Sequence, residues 1–141
     1  MHVKAKANRE RPVKVTVLKE LVHVRFRDGE ALLKTGEQQR RIGAIYVAGY
    51  GIECALKARL CDDRRVRRLP AEFRHHNLRK LAERTALWPA IEGDPRRRSL
   101  LTFLVSEWEV SMRYAMRPYE EPQVRSFLER AREFAKWLSE N

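Results

Sequence analysis

The 141 residues carry 30 Lys and Arg against 19 Asp and Glu, a net charge of +11 with a pI near 10.3, and are 43% hydrophobic. Apolar content at this level and length supports one folded domain with a real core and excludes a disordered chain. The cation excess points to an anionic partner, nucleic acid first, and it is uneven: residues 1–70 hold 17 Lys and Arg against 8 Asp and Glu, residues 71–141 hold 13 against 11.

Residues 1–15 read as a basic flexible arm and 16–141 as a single domain. Val13, Val15 and Val17 alternate as a strand does, but no later run offers a strand partner. Leu18, Leu21, Val22, Leu32 and Leu33 follow helical spacing instead, which predicts a first helix over 16–34, closed by Gly36. Gly29 interrupts it. The next segment, 38–62, is the predicted centre of the fold. Within it Ile45, Gly49, Ile52, Leu56 and Leu60 form one apolar stripe, and Val47, Gly51, Cys54 and Ala58 cover much of the opposite side. A helix apolar nearly all round is buried nearly all round. Glu53, Lys57 and the flanking arginines exclude a membrane span. Gly43, Gly49 and Gly51 each disfavour helix by about 1 kcal/mol, which close helix–helix approach would offset. Tyr46, Tyr50, Glu53 and Lys57 form a polar strip, with Glu53 and Lys57 in the favourable i,i+4 order; it is either a satisfied edge of the core or the wall of an inter-subunit cleft.

Cys54 and Cys61, two helical turns apart, are about 10 Å apart in rise and too distant to bridge. Unpaired thiols and the lack of an apolar segment after the basic start predict a reducing, cytoplasmic setting. No metal-ligand spacing occurs: His75 and His76 are adjacent, and His2 and His23 are remote. No metal and no cofactor are expected.

Arg64, Arg65, Arg67 and Arg68 lead into Pro70, either as a solvated connector or as a phosphate-contacting loop. His76-Asn77 can cap a short helix carrying Leu78, Leu81, Ala82 and Leu87, which Trp88-Pro89 is expected to end. Asp94-Pro95 starts the next helix, with Leu100, Leu101, Phe103, Leu104 and Trp108 inward. Arg96, Arg97 and Arg98 at its start oppose the helix dipole, and are candidates for a phosphate site. Residues 113–119 read as a turn. Pro122 opens a last helix in which Val124, Phe127, Leu128, Ala131, Phe134, Ala135 and Leu138 repeat at three and four. The prediction is all-α, an up-and-down bundle of four to five helices.

Tyr46-Val-Ala-Gly-Tyr-Gly-Ile-Glu-Cys-Ala-Leu-Lys57, followed by His76-Asn-Leu-Arg-Lys-Leu81, then Trp108 and Arg113-Tyr114, resembles the HEPN superfamily (higher eukaryotes and prokaryotes nucleotide-binding) over about residues 18–138. The resemblance implies a bundle that homodimerises. It also implies an RNA-directed role in toxin–antitoxin or defence modules, and a partner nucleotidyltransferase. Active RNases of the superfamily place a histidine four to six residues beyond a late arginine and a polar residue. Here Arg113 is followed by Tyr114, Ala115, Met116, Arg117, Pro118 and Tyr119, with no histidine to the C-terminus. Arg68 and His75 match the spacing, but in another segment and with Leu69 where a polar residue belongs.

Three readings follow. The first is a non-catalytic or atypical HEPN module binding RNA or nucleotide in a dimer cleft, with Arg113, Tyr114, Arg117, His76, Tyr50, Glu53 and Lys57 in contact. The second is a metal-independent endoribonuclease whose His76 or His75 folds against Arg113. The third is an interaction subunit that holds a partner protein.

Overall fold

The computed structural model describes residues 11–108 and 118–141. Four long helices, α1 (Val15–Lys34), α2 (Gln38–Arg64), α5 (Pro95–Glu107) and α6 (Glu121–Glu140), build a helical bundle; α3 (Leu78–Glu83) and α4 (Trp88–Gly93) lie between α2 and α5. The bundle runs up and down. Gly29 of α1 faces Ala44 and Ala48 of α2, while Lys19 of α1 pairs with Asp62 near the far end of α2. Arg41 at the start of α2 donates to the Tyr119 carbonyl before α6, and Arg59 donates to Leu138 near the end of α6, so α2 and α6 run in the same direction. α5 opposes α6: Arg97 lies over Trp137, and Phe103 lies beside Phe127.

The all-round apolar sequence of α2 makes it the centre. Ile45, Ala48, Ile52, Leu56, Leu60 and Cys61 are all at or near zero exposure, and its surfaces are covered by α1 and α6 together with the residues that follow it. In α6 the seven predicted apolar positions, Val124 through Leu138, are all buried, and a capping box of Glu120 with Gln123 closes its start. Gly36 takes φ 73° after α1, the left-handed geometry that ends a helix. Arg65 takes the same geometry after α2, with φ 54°, and lets the Val66 amide reach back to Cys61 at 3.0 Å.

Two expectations change in the fold. Trp88-Pro89 begins a helix instead of ending one: proline is tolerated in a first turn, where its missing N–H has no partner to lose, and Ile91 of α4 is fully buried. The valine alternation near the start finds one rung of pairing. Val15 donates to Arg67 at 2.8 Å and Leu69 to Val13 at 3.0 Å, an isolated antiparallel bridge of Lys14 with Arg68. Residues 13–15 are thus tied down, while residues 1–10 of the predicted arm lie outside the described residues. Cys54 and Cys61 are free and buried. Among the described residues no helix is long and apolar enough to cross a membrane.

Candidate functional site

The polar strip of α2 faces the start of α3 and the end of α5. Tyr46 and Tyr50, one turn apart, join their hydroxyls at 2.9 Å with rings edge to face. One turn further, Glu53 and Lys57 form an ion pair at 2.9 Å although each residue is less than 8% exposed. A lone buried charge would be costly, and the carboxylate is fully engaged: Oε2 takes Lys57, and Oε1 takes Nδ1 of His76 at 2.8 Å. An ionised carboxylate only accepts, so Nδ1 carries the proton and Nε2 is the ring nitrogen left for a ligand or solvent. The imidazole is half exposed. Tyr50 meets the imidazole edge to face, and Trp108 in turn meets Tyr50 edge to face.

His76 is held in place by the segment around it. The cap of α3 is Asn77, whose Oδ1 accepts from the Lys80 amide at 2.9 Å, and the Asn77 amide donates to Nδ1 of His75 at 3.1 Å. This frees the His76 side chain for Glu53. Trp108, where α5 ends, inserts its indole against Gly49 and donates Nε1–H to the Tyr46 carbonyl at 2.9 Å. A Cβ at Gly49 would sit closer than 3.0 Å to the indole ring, nearer than real side chains come. The glycine exists for that indole.

Between these elements opens a cleft of about 610 Å³ lined by His75, His76, Asn77, Leu78, Lys80, Val105 and Trp108. Among the described residues no carboxylate lines the cleft, and Lys80 makes no ion pair. Burial, then the Lys57 and Lys80 ammonium groups, hold the His75 imidazole below its usual range. Burial, then Glu53, pushes the Cys54 thiol up to about 11, which makes it a core group and no nucleophile. Trp108 is only 3% exposed, so it walls the cleft without offering a face for stacking.

The predicted site residues are only partly brought together. His76, Tyr50, Glu53 and Lys57 form one cluster. Arg113, Tyr114 and Arg117 lie outside the described residues. In the connector, Arg64 stacks on Phe73 at 4.6 Å and donates to the Arg84 carbonyl, and Arg68 donates to the Pro12 carbonyl at 2.8 Å; Arg65 and Arg67 are exposed. At the start of α5, Arg96 pairs with Glu133, Arg97 pairs with Asp94 while covering Trp137, and Arg98 donates to the Glu92 carbonyl. These three neighbours offset the dipole mismatch locally. His75, the alternative to His76 in the second reading, joins the cleft, and Lys80 joins it without having been singled out. The signal was available: Lys80 stands one helical turn beyond His76, on the side away from Leu78 and Leu81.

Comparison with protein-family models, with curated proteins and with solved structures finds no match.

Proposed function

We propose that the protein binds RNA or a nucleotide by a phosphate seated at His75, His76 and Lys80. One observation carries the reading: among the described residues the cleft collects two imidazoles and an ammonium with no lining carboxylate, and the Glu53 carboxylate beneath them is already taken by Lys57 and His76. Such a site attracts phosphate oxygens. The net charge of +11 supports the same partner through longer-range attraction. Membership of the HEPN superfamily, homodimerisation and a nucleotidyltransferase partner belong to this reading, on the residues that carry the resemblance. Arg113, Tyr114 and Arg117 are its further candidate contacts.

The test is binding of end-labelled RNA, and of a nucleoside triphosphate, at two salt concentrations without metal. Lys80→Glu and His76→Ala should each weaken binding about tenfold or more, with the salt slope lowered by about one for each lost phosphate contact. Unchanged affinity in both variants ends the proposal.

A second reading, metal-independent cleavage of RNA, is favoured by the 2.8 Å bond from Nδ1 of His76 to Glu53. That bond fixes ring and tautomer in the manner of a general base's orienting carboxylate. Nε2 would take the proton from a ribose 2′-hydroxyl while a guanidinium, with Arg113 the candidate, stabilises charge on the phosphorus oxygens. Cleavage that survives His76→Ala rules this out, as does binding with no cleavage at all.

A further inference from the structure

On the side of α2 away from the cleft, a groove of about 640 Å³ runs between α1 and α6. Its floor is low because Ala55 and Ala58 of α2 and Ala135 of α6 face it, beside Phe26 and Leu138. Its edges are cationic at helical spacing. Lys19, His23 and Arg27 stand at successive four-residue steps along α1, a rail about 12 Å long, and Arg132 and Lys136 stand one step apart along α6. Among the described residues five Lys and Arg line the groove against one acid, Asp62. Lys19 already pairs with Asp62, Arg59 with Asp63, Arg132 with Glu30 and, at 3.9 Å, Lys136 with Glu140; His23 and Arg27 make no ion pair with a described residue.

We infer that this groove docks an amphipathic helix of a partner protein, one with an apolar stripe flanked on both sides by Asp or Glu. Two facts select that occupant. An apolar floor between two cationic rails is the complement of a helix with a central apolar stripe and acidic edges. A small anion would need one cation and no rail, and a nucleic acid backbone would need the rails and no apolar floor. A second copy of this chain does not fit: at +11 it brings more cations to the rails, and the outer face of α6 mixes Arg125, Arg130 and Arg132 with its glutamates. The alanines keep space for side chains of the incoming helix, as small residues do wherever helices approach closely.

The probe is a synthetic 18-residue helical peptide with a leucine stripe flanked by glutamates, labelled with a fluorophore and titrated by anisotropy with the full-length protein. Two control peptides are used: one with the same composition and the stripe scrambled, one with lysines in place of the glutamates. The acidic amphipathic peptide should bind at least tenfold more tightly than either control. Two variants of equal charge change then separate the groove from the general positive field. Arg27→Glu with Lys136→Glu, both exposed on the rails, should weaken binding at least tenfold; Arg67→Glu with Arg74→Glu, exposed elsewhere, should change it less than threefold. Ala58→Leu, which fills the floor and leaves the charges, should also weaken binding, with circular dichroism confirming the fold. Equal binding of the scrambled peptide, equal effects of the two double reversals, or self-association of the protein that the rail variants abolish would each overturn the inference. RNA binding weakened by the rail variants and not by Lys80→Glu would reassign the groove to nucleic acid.

Discussion

Gly49→Ala and Gly43→Ala make the same change on the same helix and should have opposite effects. At Gly43 a new Cβ would meet, among the described residues, only Cδ1 of Leu32 at 3.6 Å, an ordinary contact. There the alanine should stabilise by up to about 1 kcal/mol through helix propensity. At Gly49 the same gain of about 1 kcal/mol is opposed by eviction of the Trp108 indole. Trp108 is 3% exposed, donates to the Tyr46 carbonyl and packs edge to face on Tyr50. Loss of a buried large aromatic side chain from its site costs about 3–5 kcal/mol, so the net destabilisation is about 2–4 kcal/mol. For a domain of this size that is a fall in Tm of about 6–15 °C. Urea unfolding followed by circular dichroism and by tryptophan fluorescence gives both numbers. A Gly49→Ala protein as stable as the parent would refute the notch, and a Gly43→Ala protein as damaged as Gly49→Ala would refute the contrast.

Lys57→Ala leaves a buried carboxylate with His76 as its remaining partner, and should destabilise by about 3–5 kcal/mol in urea titration; a loss below 1 kcal/mol would mean the pair is solvated. Arg65→Gly removes a left-handed arginine at the end of α2 and should stabilise by about 1 kcal/mol or less, read as a higher urea midpoint at unchanged slope; a lower midpoint contradicts it. Neither cysteine should react with a thiol reagent in the native protein, since both are buried and burial raises both thiols; two should react in denaturant, and rapid native labelling would refute the packing. His75 is held below the ordinary histidine value of 6.5, so the unfolded chain binds that proton more tightly. Stability should be full above about 6.5 and decline as pH falls through the window down to the lowered value, and His75→Gln should flatten that decline in pH-dependent melting.

The helices were legible where a periodicity repeats often enough. α6 shows seven apolar positions at three and four and buries all of them, and α2, apolar on every side, sits in the centre. The site was legible only in part, because its bonds join residues distant in the chain. Glu53 with Lys57 is a local i,i+4 pair that spacing reveals, but Glu53 with His76 spans 23 residues. Sequence alone offered His76 both as a cap with Asn77 and as a ligand contact, without naming Glu53 as its partner; the cap is Asn77. The three glycines of α2 announced close approach without naming the neighbour, which for Gly49 is a tryptophan 59 positions on. Proline at Trp88-Pro89 was ambiguous because the same residue closes one helix and opens the next.

The rung between Val13 and Leu69 has a consequence for the order in which the molecule opens. With Gly36 turning one end of the α1/α2 hairpin and this rung closing the other, the hairpin is fastened at both ends, and it holds the largest helix–helix interface among the described residues. Local openings that release α3, α4 or α5 can leave it intact, since those helices share far smaller surfaces with it. The amide protons of Leu56 and Leu60 should therefore exchange with solvent only through global unfolding, while those of the short α3 and α4 exchange through cheaper excursions. The cleft that depends on α3 would then breathe against a hairpin that does not.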